Sequence, residues 1–179
     1  ALLGDDMGLG KTVQVLAAMS HLHALGARHF LVVAPNSVII NWCREVEKHT
    51  EMNPVLLHGS DRDERLAQWR NEGGVGITTY GTLSKLIDDI ATVDYFAADE
   101  AHMAKNPEAA RSKAVAQVAD RSQYVALMTG TALENRLSEM QYLVQMVQPG
   151  LMPELNKIIN HPSGLVKPEE VVRALAPAY

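Results

Sequence analysis

The chain has a single cysteine, Cys43, among 179 residues. That excludes an internal disulfide framework and fits a reducing compartment, so an intracellular setting is expected: cytoplasm or nucleoid in a bacterium, nucleus in a eukaryote. Long apolar runs are also missing. No segment approaches the length needed to cross a bilayer, and no basic stretch followed by an apolar run opens the chain, so neither a membrane span nor a signal peptide is expected. Net positive charge is absent as well: the formal charge is −5. A protein that held a polyanion by its overall field would be basic, so any such contact has to come from a local, shaped surface. Internal repeats and low-complexity tracts are lacking too. What is present, 47% apolar and 21% charged residues, is ordinary for one globular domain with a real core.

Short apolar runs alternate with amphipathic ones. Leu2-Leu3, Phe30 to Ala34, Val55 to Leu57, Val75 to Thr78, Asp94 to Ala98 and Tyr124 to Met128 read as strands. They show no polar alternation, the pattern of strands buried on both faces of a parallel sheet. Between them, Val15, Met19 and Leu22 recur at helical spacing, as do Ile39, Trp42, Cys43 and Val46, and Leu137, Met140 and Val144. Ser60 and Asp63 have the spacing of a capping box opening a helix that carries Leu66 and Trp69. This alternation predicts an α/β fold, a mostly parallel central sheet with right-handed crossovers and helices on both faces. Residues 1–150 form the expected lobe. Prolines at 149, 153, 162, 168 and 177 break residues 151–179 into a short helical appendage, with a last helix opening at Pro168. Both ends read as cut, which points to an excised domain.

Asp5-Asp6-Met7-Gly8-Leu9-Gly10-Lys11-Thr12 lies between an expected strand and an expected helix, the context of a phosphate loop. Gly8 and Gly10 let successive N–H groups turn toward phosphate oxygens, and the following helix adds its N-terminal partial charge. Lys11 can reach terminal phosphates and Thr12 can place its hydroxyl on Mg²⁺. Asp6, Met7, Gly8, Leu9, Gly10, Lys11, Thr12 and Val13 are the expected nucleotide contacts. The strict pattern has glycine where this chain has Asp5, and a glycine-rich turn with an incidental lysine is the other reading of the motif alone. Asp99-Glu100-Ala101-His102 follows the run Tyr95 to Ala98. A carboxylate at the C-terminal end of a parallel strand sits where such sheets bind ligands. Asp99 suits a metal, together with Thr12, and Glu100 suits the general base that activates water. Lys11, Asp99 and Glu100 are the catalytic candidates.

These two motifs resemble motifs I and II of superfamily-two helicases. Ala34-Pro35-Asn36-Ser37-Val38-Ile39-Ile40-Asn41-Trp42 resembles motif Ia, and Ile77-Thr78-Thr79-Tyr80-Gly81-Thr82-Leu83 resembles motif Ib. The stretch from Leu127 to Arg136, with Thr129-Gly130-Thr131, is similar to motif III of the Swi/Snf-type ATPases, longer than the generic Ser-Ala-Thr. The match runs from Ala1 to about Gly150; Gly4 stands where the family often has Ala, and Ala132 where it usually has Pro. The resemblance implies the N-terminal RecA-like P-loop lobe of a DNA-translocating ATPase that uses ATP and Mg²⁺ and has double-stranded DNA and a second RecA-like lobe as partners. It implies that Pro35, Ser37, Thr79 and Tyr80 line a face gripping the DNA backbone, joined by Asn135 and Arg136. It further implies that His102, Thr129, Gly130 and Thr131 couple that face to the ATP site.

The family's second lobe supplies arginines to the γ-phosphate, and a glutamine motif upstream of the phosphate loop contacts adenine. This chain carries neither, so weak nucleotide binding and little turnover are expected of it alone. Two alternatives stand beside the remodelling translocase: the motor of a restriction enzyme and a non-hydrolysing P-loop switch or scaffold.

Overall fold

The computed structural model describes residues 1–3, 10–104, 106–130 and 137–159. Six strands form one sheet: β1 (Leu2–Leu3), β2 (His29–Ala34), β3 (Pro54–Leu56), β4 (Gly74–Thr79), β5 (Val93–Ala98) and β6 (Ser122–Met128). All six expected runs are strands. The order is β1-β6-β5-β2-β4-β3, and every pairing is parallel.

Buried apolar side chains alternate along the strands and divide the core in two. Phe30, Val32, Ala34, Val75, Ile77, Tyr95, Ala97, Ala126 and Met128 share one face with Val15, Leu16 and Met19 of α1 (Lys11–Ala24) and Ile39, Trp42 and Val46 of α2 (Ile39–His49). Leu31, Val33, Phe96, Ala98 and Leu127 face the other way. They meet Leu66 and Trp69 of α3 (Arg62–Glu72), Leu83 and Leu86 of α4 (Tyr80–Leu86), Val115 and Val118 of α5 (Ala110–Asp120) and Leu143 and Val144 of α6 (Leu137–Val147). Phe30 and Phe96 are fully buried on opposite faces, and each contributes about 1.5–3 kcal/mol by leaving water. A final helix, α7 (Met152–Ile159), packs beside α6 in the expected appendage. The expected helix from Pro168 lies outside the described residues.

Two local readings need correction. Ser60 and Asp63 do not form a capping box: the cap of α3 is Asp61, and no side chain closes it. The Asp61 carboxylate instead pairs with the Arg65 guanidinium at 2.6 Å, four residues on. The stretch from Tyr80 to Leu86, given no element of its own from the sequence, is the helix α4, capped by Thr79.

Chain direction places the site. From β2 the chain moves on to β3, toward one sheet edge; from β5 it moves to β6, toward the other. Adjacent parallel strands whose connections leave in opposite directions open a crevice at their C-terminal ends, where ligands bind in such sheets. Asp99 stands directly after β5, at that crevice.

Candidate active site

Asp99 is held at every polar position. Its amide donates to the Val33 carbonyl at 2.8 Å, extending the β5–β2 ladder by one bond. One carboxylate oxygen, Oδ2, accepts from the Trp42 indole Nε1–H at 2.9 Å, and Oδ1 accepts from the Glu100 amide at 3.0 Å. Its carbonyl accepts from the Tyr80 hydroxyl at 2.7 Å. Burial pushes the carboxyl pKa up; the Trp42 bond opposes the rise, the Glu100 charge adds to it, and the Glu100 amide and Lys11 charge oppose it. Lys11, far away in sequence, therefore acts electrostatically on Asp99. Lys11 opens α1 and Asp99 follows β5, which places both at the C-terminal end of the sheet.

Glu100 has φ of 53°, the only left-handed non-glycine backbone among the described residues. Such a conformation costs on the order of 1–3 kcal/mol and persists where the surroundings impose it. Its Oε2 lies 3.2 Å from His102 Nδ1, on the 3-10 turn Ala101–Ala104. Both atoms are shut off from solvent, and neither makes a well-directed hydrogen bond in spite of that distance. A buried carboxylate oxygen with unspent accepting capacity suits the orienting of a water molecule.

The phosphate loop meets the helix at Gly10, in the left-handed region at φ 77°. A Cβ there would meet nothing within 4 Å, so glycine serves the backbone turn rather than a tight contact. Gln14 N–H donates to the Gly10 carbonyl at 3.0 Å and opens α1. Lys11 and Thr12 are half-buried on its first turn and Val13 is exposed. Asp6, Met7, Gly8 and Leu9 lie outside the described residues. Thr129, 1% exposed, donates its amide to the Leu3 carbonyl at 3.0 Å, the last described residue before the loop. Gly130 follows it, half-buried. The expected coupling segment thus joins the sheet between β1 and β5, while Thr131, Asn135 and Arg136 lie outside the described residues. A cavity of about 470 Å³ lined by His23, Lys48 and His49 is at the other end of the sheet, between the C-terminal ends of α1 and α2.

The residues expected on a DNA-gripping face divide. Pro35 is half-buried and Ser37 exposed, on a turn closed by the Val38 amide and the Pro35 carbonyl at 3.0 Å. Tyr80 is only 3% exposed, and its hydroxyl is spent on the Asp99 carbonyl. Its ring belongs to the core. Thr79 is buried too, its hydroxyl accepting from the Thr82 amide at 3.2 Å and donating to the Thr82 hydroxyl at 3.0 Å. Sequence reasoning missed the two groups that hold Asp99. Trp42 was legible as a core residue by its spacing, and a buried indole N–H needs an acceptor; only the fold shows which acceptor it finds.

Residues 1–162 match the family described as SNF2-related domain. The chain belongs to this family. The SNF2-related chain is 31% identical over 180 residues to the DNA excision repair protein ERCC-6-like 2 of Mus musculus, covering 84% of this chain and 12% of that protein. It is 38% identical over 151 residues to the ERCC-6-like protein of Danio rerio, covering 78% of this chain and 10% of that one. It is 33% identical over 172 residues to the SWI/SNF-related regulator of chromatin subfamily A containing DEAD/H box 1 homolog of Caenorhabditis elegans, covering 89% of this chain and 16% of the relative. Among solved structures it is similar to the Sulfolobus solfataricus SWI2/SNF2 ATPase core in complex with dsDNA, with a TM-score of 0.81 and 29% identity over 98% of this chain and 38% of that one. The RecA-like fold and the Swi/Snf-type resemblance are thereby shown: this SNF2-related lobe is homologous to the ATPase cores of remodellers and DNA translocases, at the position of their N-terminal lobe. It spans a small part of the curated relatives it matches.

Proposed function

We propose that this SNF2-related lobe binds magnesium ATP and, together with a second RecA-like lobe, hydrolyses it to move along double-stranded DNA inside the cell, remodelling DNA–protein complexes. The observation that carries the reading is the convergence of Lys11, Asp99 and Glu100 at the C-terminal edge of one sheet, with the Lys11 charge acting on the Asp99 carboxyl.

The residues present fit the nucleotide and its metal. Asp99 is a half-buried carboxylate kept in one orientation by two donors. Glu100 holds an unspent acceptor. When bound, magnesium ATP supplies the γ-phosphoryl group and the cation that neutralises its charge. Lys11 and Thr12 would hold the phosphates and the metal, with Asp6, Met7, Gly8, Leu9, Gly10 and Val13 around them. Glu100 would orient a water and take its proton, with His102 beside its carboxylate. Thr129, Gly130 and Thr131 would carry the site's state across the sheet edge. Ser37 would meet the DNA backbone through its N–H and hydroxyl, on the turn that Pro35 shapes, contacts that position without reading sequence, joined by Asn135 and Arg136. Thr79 and Tyr80 would support that surface from beneath.

Glu100→Gln in the chain joined to its second lobe tests the reading. Nucleotide still binds, while hydrolysis stimulated by duplex DNA falls on the order of 10²–10⁴-fold. Unchanged hydrolysis would take the general-base role from Glu100, and nucleotide binding without DNA-stimulated hydrolysis in the unaltered protein would leave a P-loop switch as the better account.

A further inference from the structure

Two hydrogen bonds described above join three segments that sequence keeps apart. Trp42 lies on α2 after the turn that ends β2, Tyr80 opens α4 at the end of β4, and both terminate on Asp99 after β5. Both rings are buried, at 2% and 3% exposure, so neither donor has water as an alternative partner. Trp42 donates to the carboxylate and fixes its rotation. Tyr80 donates to the carbonyl and fixes the peptide joining Asp99 to Glu100, the residue with the left-handed backbone. Neighbouring groups share the arrangement: Ser37 is exposed on the turn leading into α2, and Thr79, which caps α4, immediately precedes Tyr80.

We propose that Trp42 and Tyr80 are positioning residues of the ATP site, together setting the orientation of the Asp99 carboxylate toward Mg²⁺ and tying that orientation to the ends of β2 and β4. This inference rests on the reading of Asp99 as a metal carboxylate. A metal ligand is only as well placed as the groups that orient it, and loss of an orienting partner typically costs 10–100-fold in metal affinity or activity. Motion of the β2 or β4 end then reaches the metal site through one donor each, without passing through the segment after β6.

The test compares Trp42→Phe and Tyr80→Phe with the unaltered chain, since each removes a donor and keeps an aromatic ring. A fluorescent ATP analogue is titrated in EDTA and at rising Mg²⁺. The expected result is an unchanged affinity in EDTA and an Mg²⁺ requirement raised about 10-fold for Trp42→Phe, with a smaller rise for Tyr80→Phe. A role confined to packing would lower both affinities alike. In the unaltered chain, the indole N–H resonance of Trp42 moves on adding Mg²⁺ and the analogue, while that of Trp69, which donates to the Gly74 carbonyl at the opposite end of the sheet, stays. The resonance measurement stands even if a variant does not fold. Binding that requires Lys11 but leaves the Mg²⁺ requirement of both variants and the Trp42 resonance unchanged overturns this inference alone. Binding no tighter than that of Lys11→Ala overturns the ATP-site reading, and this inference with it.

Discussion

Strand β5 carries an aspartate near each end, and the two have opposite occupations. Asp94, at its start, accepts from the Arg28 and His29 amides at 2.7 and 2.8 Å through one oxygen and so ties β5 to the start of β2. Its neighbours are equally committed: Arg121 donates to the carbonyls of Ile87 and Ile90, and Gly73 and Gly74 make a turn that no side chain fits. Asp99, at the other end, is also held, but its donors fix an orientation and leave the charge to be met by something else. Beside it are a left-handed backbone and an acceptor oxygen that has His102 Nδ1 at 3.2 Å but makes no well-directed hydrogen bond. The polar groups named at the start of β5 are spent on the chain; beside its finish, Glu100 Oε2 is not. The same residue type at the two ends of one strand is a bolt at the start and, under the proposed function, a ligand at the finish.

Exchanging the roles of the two aspartates by mutation breaks the comparison if it is wrong. Asp99→Ala, in the chain joined to a second lobe, should lower DNA-stimulated hydrolysis by more than the roughly 10–100-fold typical of losing an orienting partner, because a ligand itself is lost. Steady-state phosphate release measures this. Asp94→Ala should leave nucleotide affinity unchanged and strip two backbone amides of their acceptor. At about 1–3 kcal/mol for the part-buried His29 amide and less for the exposed Arg28 amide, unfolding free energy should fall by roughly 1–4 kcal/mol, read by urea denaturation. Gly74→Ala sharpens the contrast at the committed end. A Cβ there would lie 2.5 Å from the Asn53 carbonyl oxygen, at φ of 101°, so a loss of about 1–3 kcal/mol is expected in the same assay, again without change in nucleotide affinity. The smallest effect concerns Cys43, whose thiol is pushed up by burial and then by the Glu47 charge. A raised pKa means less thiolate at any given pH, so the pH–rate profile for iodoacetamide should be displaced to higher pH than that of free cysteine.

How much was legible in the sequence follows the same divide. Strands buried on both faces declare themselves by unbroken apolar runs, and all six were readable. Lys11, Asp99 and Glu100 could be singled out from the sequence because a glycine-rich turn entering a helix and a carboxylate pair after an apolar strand are both local patterns. The burial of Tyr80 was not legible because a polar tip on a large ring serves a surface and a core equally well, and only the packing of α4 beside β2 and β4 decides. The capping box at Ser60 failed because Asp61 had an Arg65 four residues away to pair with, a competition that spacing alone does not weigh. The Trp42–Asp99 bond spans 57 residues and is created by β2 and β5 lying side by side, which no local pattern records.

The central claim is that Lys11, Asp99 and Glu100 serve one magnesium-bound triphosphate. A crystal structure of the chain with Mg²⁺ and a non-hydrolysable ATP analogue tests it most directly. The account predicts the ion between the Thr12 hydroxyl and the Asp99 carboxylate, the Lys11 ammonium on the terminal phosphates, and Glu100 facing the γ-phosphate through a water. Phosphates seated away from Lys11, or an ion with no path to Asp99, would contradict it.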